Sequence, residues 1–298
     1  MRLLCIGKTG QIARALAEQS RAGGVDCLCL GRPELDLLKP DLVVEAIDRH
    51  SPTVIVNAAA FTNVDSAESD RDAAFALNAD APGALARLCA GRDLPLIQIS
   101  TDYVFDGSGD QAWRETDAAN PINVYGASKL AGENAVRAAG GRHVILRTSW
   151  VYSRHGNNFV KTMLRLADEQ GVASVVDDQI GSPTRAEDIA DAILDIAADI
   201  SDGAHAAKFG TFHYSGAGSA SWADVAAHIF SAFEQSAGCK IRLNRVASSD
   251  YPSPAERPRN SRLNTDKITR TFGIKPKRWT KSVSDVVSAL LEEKAGAR

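Results

Sequence analysis

The chain has 298 residues, 44% of them hydrophobic and 24% charged, and a net charge of −3 at pH 7. This length holds one large domain or two coupled ones with a sizeable core, and the charge excludes a broad pull toward nucleic acid or an anionic membrane. No apolar run approaches the roughly 18 residues of a membrane span, and Gly7 interrupts the first apolar run too soon for a signal peptide. A cytoplasmic protein is therefore expected. The five cysteines, Cys5, Cys27, Cys29, Cys89 and Cys239, form no C-x-x-C pair and read as reduced thiols in apolar runs. The six histidines lack ligand spacing, so no structural metal is expected.

The spacing predicts a buried strand over residues 2–6, a glycine turn, a helix over 11–22 and a second strand over 25–30. A helix near 41–50 precedes a strand over 53–56 that ends at Asn57. A long helix over 70–91, bent near Ala81-Pro82, leads to a strand over 94–99. A helix over 125–139 and a strand over 143–148 complete this half. Beyond residue 150 loops lengthen; helices are expected over 185–200, 221–235 and 282–294, with a strand over 211–214. Short apolar strands alternating with helices predict an α/β fold, a Rossmann-type doubly wound parallel sheet with a smaller mixed α/β substrate domain. The expected division is 1–149 plus about 184–216 for the dinucleotide, and about 150–183 plus 217–298 for the substrate.

The segment Gly7-Lys8-Thr9-Gly10-Gln11-Ile12-Ala13 follows the first strand and opens the first helix. Gly7 permits a sharp turn, Gly10 lets a pyrophosphate approach, and the helix N-terminus offers free N–H groups. A P-loop needs glycine five positions before Gly7, where Arg2 stands, so that reading fails. Preference for NAD usually rests on an acid at the end of the second strand. Here that strand ends Leu30-Gly31-Arg32, and Arg32 is placed to pair with a 2′-phosphate, which favours NADPH and leaves NADH open.

Tyr125 and Lys129 are four apart, hence on one face of a helix. Ketone reduction needs a proton at the oxygen, and a neighbouring ammonium makes a phenol of pKa ~10 more acidic; bringing it close to 7 takes about 4 kcal/mol. Y-x-x-x-K alone is common, and its position after the strand ending Ser100-Thr101 is what carries weight. Both hydroxyls are candidate partners of a keto group, although a strand-end hydroxyl is more often a cap.

The runs GKTGQIARAL, VIVNAAAFTNVDSAES, STDYVFDG, NVYGASKLAGE, LRTSWVY, GNNFVKTMLRL, DQIGSPT and RPRNSRLN, in this order, resemble the dTDP-4-dehydrorhamnose reductase family of extended short-chain dehydrogenases/reductases. The resemblance implies NADPH-dependent reduction of the C4 keto group of dTDP-4-dehydro-β-L-rhamnose, in the synthesis of a sugar donor for cell-surface polysaccharide. It implies Tyr125 as proton donor, Lys129 on the nicotinamide ribose, and Thr101 on the reacting oxygen. Gly10, Gln11 and Ile12 are implied at the pyrophosphate, Asp36 and Leu37 at the adenine, and Ala60, Phe61 and Thr62 at the ribose and phosphates. Asp102 and Trp150 are implied at the sugar. Some relatives carry a magnesium-site glutamate at a dimer interface where this chain has Ala15. Metal-linked dimerisation is thereby put in doubt, a magnesium counter-ion to the substrate diphosphate stays open, and monomer and homodimer are both left standing. Arg257, Arg259 and Arg262 are candidates for the diphosphate. Two other readings compete: a different nucleotide-sugar reductase or epimerase, and a regulatory subunit resembling that of methionine adenosyltransferase.

Overall fold

The apolar runs become strands whose alternate side chains feed two different cores. The computed structural model describes residues 1–201, 206–237 and 240–296. In chain order, the first half comprises β1 (Arg2–Ile6), α1 (Gln11–Ala22), β2 (Asp26–Leu30), α2 (Pro40–His50), β3 (Val54–Asn57), α3 (Val64–Ser69) and α4 (Arg71–Phe75). A π-helical turn (Ala76–Asp80), α5 (Ala81–Gly91), β4 (Leu96–Thr101), α6 (Val124–Ala138) and β5 (His143–Thr148) follow. The second half comprises β6 (Val151–Tyr152), α7 (Phe159–Glu169), β7 (Val172–Val176), β8 (Ile180–Gly181), β9 (Thr184–Arg185), α8 (Ala186–Ser201) and β10 (Gly210–His213). It closes with β11 (Ala220–Ser221), α9 (Trp222–Ala237), β12 (Arg242–Val246), α10 (Asp266–Phe272) and α11 (Trp279–Gly296).

Six strands in the order β10-β5-β4-β3-β1-β2 form one sheet, every neighbouring pair parallel. Leu3, Cys5, Val54, Val56, Ile97 and Val144 face α1 and α8. Leu4, Ile6, Ile55, Leu96 and Ile145 face α2, α5 and α6. Each such side chain contributes about 1.5–3 kcal/mol by leaving water. A separate apolar cluster joins Val160, Met163, Ile229, Phe230, Val283 and Val287 from α7, α9 and α11. Chain order reverses at β1, between β2 and β3, and a doubly wound sheet opens its ligand crevice at such a switch point.

The helix expected over 70–91 is broken. Pro82, near the start of α5, lacks an N–H, and the turn before it widens to π geometry. Helices α3, α7 and α10 and strands β7 and β12 arise where only loops had been read. Ile268 and Ile274 of the distal segment pack into the core shared by α1 and α8. Among the described residues no helix is long and apolar enough to cross a membrane. Cys5, Cys27, Cys29 and Cys89 are free thiols, with Cys27 and Cys29 half-buried; Cys239 lies outside the described residues.

Candidate active site

At the carboxyl ends of β1, β3, β4 and β5 lies a cavity of about 540 Å³. The glycine turn forms one wall. Gly7 takes a φ of 138°, and its N–H donates to Leu30 O at 2.7 Å. Gly10 stands at the N-terminus of α1 without a side-chain cap, and a Cβ there would meet open space. The first N–H groups of α1 therefore face a cleft where an anion can reach them, which fits a dinucleotide pyrophosphate. Thr9, Gly10, Gln11 and Ile12 line the cavity, as do Ala58, Ala59, Ala60 and Thr62 after β3. Asn57 and Asn78 hold that second loop. Asn57 Oδ1 accepts the Ala59 N–H at 3.2 Å, while Asn78 bonds both the N–H and the carbonyl of Phe61, at 2.8 and 3.0 Å.

The opposite wall carries Thr101, Asp102, Tyr125, Lys129, Thr148 and Trp150. Helix α6 is capped by Asn123, whose Oδ1 accepts the Gly126 N–H at 2.8 Å. A Cβ at Gly126 would lie 2.1 Å from Tyr103 O, so glycine lets the helix press Tyr125 against the end of β4. The Tyr103 ring stands edge-on to Tyr125, with centroids 5.9 Å apart. Burial pushes the Tyr125 hydroxyl up to about 12, with a hydrogen bond from Thr101 acting in the opposite sense. The acidified phenol expected from sequence is thus not what the protein side chains alone produce: desolvation dominates, the charge of Asp102 adds to it, and Tyr125 keeps its proton. Burial draws Lys129 down to about 8, with the charge of Glu133 opposing, and its Nζ donates to Ile99 O at 2.7 Å.

Thr101 serves as a strand-end cap and lines the cavity. Its Oγ1 caps the turn by accepting the Tyr103 N–H at 3.2 Å and donates to Asp102 Oδ1 at 2.9 Å. The Ser100 hydroxyl instead donates to Glu133, a buried carboxylate outside the cavity lining, at 2.6 Å. Asp102 is buried and pushed up to about 7 by desolvation, with hydrogen bonds from Thr101 and Ser261 opposing. Its Oδ2 and the Oγ1 of Thr148 are buried without a hydrogen-bond partner. Two unpaired polar atoms on one cavity wall are what a hydroxylated ligand satisfies. Trp150 adopts a φ of 46° and stacks on Trp222, with ring centroids 3.5 Å apart.

The remaining expected residues sit elsewhere. Gly7, Gly31, Arg32, Asp36, Leu37 and Phe61 are outside the cavity lining. Leu37 is in the core, and Arg32 is exposed at the end of β2. Arg257 pairs with Asp65 at 2.9 Å and Arg262 Nε bonds Asn260 at 2.8 Å, whereas exposed Arg259 and Arg257 line a second cavity of about 700 Å³. Ala15 is fully buried in the apolar core and offers no metal ligand. Among the described residues no group of three or more His, Cys, Asp or Glu is placed to hold a metal ion. Thr148, Trp222 and Asn78 were missed; they belong to no local motif, and only contacts across the chain reveal them.

Residues 1–292 match the family model described as the RmlD substrate binding domain. A dTDP-4-dehydrorhamnose reductase of Sinorhizobium fredii is 49% identical over 98% of this chain and 99% of its own. A crystal structure of a dTDP-4-dehydrorhamnose reductase from Clostridium acetobutylicum superposes with a TM-score of 0.89 at 34% identity, covering 98% of this chain and all of that one. The Bacillus anthracis dTDP-4-dehydrorhamnose reductase, solved in complex with NADP, gives a TM-score of 0.87 at 34% identity, over 98% of this chain and 99% of its own.

Proposed function

The chain belongs to the dTDP-4-dehydrorhamnose reductase family, and we propose that it reduces the C4 keto group of dTDP-4-dehydro-β-L-rhamnose to dTDP-L-rhamnose with NADPH. The observation that carries the reading is one cavity shared by the glycine turn and by Thr101, Tyr125 and Lys129. We assign the dinucleotide to residues 1–149 with about 184–216, and the substrate to about 150–183 with 217–298.

NADPH, when bound, supplies the hydride. The protein's task is to place the ketone and deliver one proton to its oxygen. Tyr125 is the donor: its buried hydroxyl is protonated at neutral pH, as a proton source must be. Thr101 Oγ1, whose proton rests on Asp102 Oδ1 in the free site, rotates it onto the reacting oxygen as a second hydrogen bond, and the two together stabilise negative charge as it builds there. Lys129, cationic below about 8, stabilises the phenolate left on Tyr125 and holds the nicotinamide ribose. Gly10, Gln11 and Ile12 hold the pyrophosphate; Ala60, Phe61 and Thr62 border the ribose and phosphates; Gly31, Arg32, Asp36 and Leu37 are assigned to the adenosine. Asp102 Oδ2 accepts from a sugar hydroxyl and Trp150 gives the ring an apolar wall. Arg257 and Arg259 are assigned to the diphosphate.

The test mixes purified protein, NADPH and dTDP-4-dehydro-rhamnose made in situ by its 3,5-epimerase, following NADPH absorbance and identifying the product. Consumption with dTDP-rhamnose formed, abolished in Tyr125→Phe while NADPH still binds, is expected. No consumption by the wild type overturns the reading. Tightly held NAD with no net NADPH use points to an epimerase, and turnover that persists in Tyr125→Phe removes Tyr125 from its role.

A further inference from the structure

Glu133 lies one helical turn beyond Lys129 on α6, is almost fully buried, and does not line the cavity. Its carboxylate accepts Ser100 Oγ at 2.6 Å, Arg147 Nε at 2.8 Å, Arg147 Nη2 at 2.7 Å and Arg137 Nη2 at 2.7 Å. Ser100 and Arg147 are register partners on β4 and β5. Each is followed directly by a cavity residue, Thr101 and Thr148 respectively. Ile99, the residue before Ser100, gives its carbonyl to Lys129. Two consecutive residues of β4 are therefore tied to α6, Ile99 to Lys129 and Ser100 to Glu133, and the next, Thr101, lines the cavity. Buried ion pairs add little net stability over apolar packing, so stability alone does not account for a four-bonded carboxylate here.

We propose that Glu133 is a positioning residue for the reduction, locking the ends of β4 and β5 to α6 so that Thr101 and Tyr125 meet the same oxygen, and presenting its negative charge to Lys129. The charged groups facing it are Lys129 and Arg137 from α6 and Arg147 from β5. Behind Arg147 stands His213 of β10, with Nε2 3.3 Å from Arg147 Nη1, Nδ1 3.1 Å from Trp113 O, and its backbone N–H donating to Glu115. Burial and Arg147 push His213 down to about 3, so it is neutral. Lys267 of α10 is tied to Thr211 O at 2.7 Å. Loss of the Glu133 charge removes the influence that opposes the depression of Lys129. The lysine then gives up its proton at lower pH, and the alkaline limb of kcat moves down with it.

The proposal rests on the reductase reading, and the experiment separates the two. kcat against pH is measured with NADPH and the 4-keto sugar for wild type, Glu133→Gln and Ser100→Ala, alongside NADPH affinity by fluorescence titration and circular dichroism. In Glu133→Gln, kcat at pH 7 is expected to fall about 10- to 100-fold, with NADPH affinity within about threefold and the alkaline limb at lower pH. Ser100→Ala removes one tie and keeps the charge; its kcat falls about tenfold with the limb unmoved. A folded Glu133→Gln with wild-type kcat and limb overturns the proposal. If Glu133→Gln does not fold, Ser100→Ala decides: a reduced kcat with unchanged NADPH affinity supports the tie, and wild-type kcat overturns it. A wild type that consumes no NADPH overturns the reductase reading itself, before either variant is compared.

Discussion

Replacing Lys129 by methionine separates what this residue costs the fold from what it gives the reaction. The lysine is fully enclosed, and its value falls from 10.5 to about 8 because desolvation penalises the ammonium, with Glu133 opposing. At 1.36 kcal/mol per pH unit, that depression corresponds to about 3 kcal/mol of destabilisation at neutral pH. Methionine of similar length carries no charge to desolvate, but leaves Ile99 O without its donor, a loss of about 1 kcal/mol. Lys129→Met is therefore expected to be more stable by about 2 kcal/mol at pH 7 and slower by about 10²- to 10⁴-fold. The pH dependence follows from linkage. Between about 8 and 10.5 the unfolded wild type binds more protons than the folded one, so wild-type stability rises with pH across that window. The variant lacks this rise, and its advantage is greatest at pH 7 and shrinks toward pH 10. Urea unfolding followed by tryptophan fluorescence at both pH values measures the gap. A variant less stable than wild type at pH 7, or a gap equal at both pH values, refutes the account of Lys129 as a strained buried cation.

Three further outcomes are expected. Thr148→Val removes a buried hydroxyl that has no partner; unfolding should change by less than about 0.5 kcal/mol, while kcat/KM for the sugar falls about tenfold in steady-state assays if that hydroxyl meets the ligand. Gly181→Ala forces a Cβ to within 2.3 Å of Trp150 Cε2. It should cost about 1–3 kcal/mol in urea unfolding and raise the sugar KM by displacing the Trp150–Trp222 stack, whereas wild-type KM and stability would show that the stack is dispensable. Arg32→Ala should raise the NADPH KM by about tenfold with NADH unaffected; an unchanged preference between the two donors would remove Arg32 from the 2′-phosphate site.

Much of this site is legible in sequence because its pieces are local. Short continuous apolar runs make the parallel strands, buried on both faces, and successive side chains point to opposite faces, so Leu3 and Leu4 were bound to face different cores. The turn at Gly7–Gly10 is fixed by what glycine permits. Four-residue spacing on a helix puts Tyr125 and Lys129 on one face regardless of the rest of the chain. The second half was harder to read, because short strands such as β8 and β9 exist only through pairing with distant partners. Tertiary structure alone decided the rest. Ser100, a candidate partner of the keto group from sequence, meets Glu133 across 33 residues and donates its hydroxyl there. Asn78 bridges Phe61 and Ser128, the latter at 2.9 Å across 50 residues, and Trp222 comes onto Trp150 from another helix. The protonation of Tyr125 was decided in the same way. Spacing puts a lysine on the same helix face, but only the packed walls determine how much water remains, and here desolvation dominates and leaves the phenol its proton.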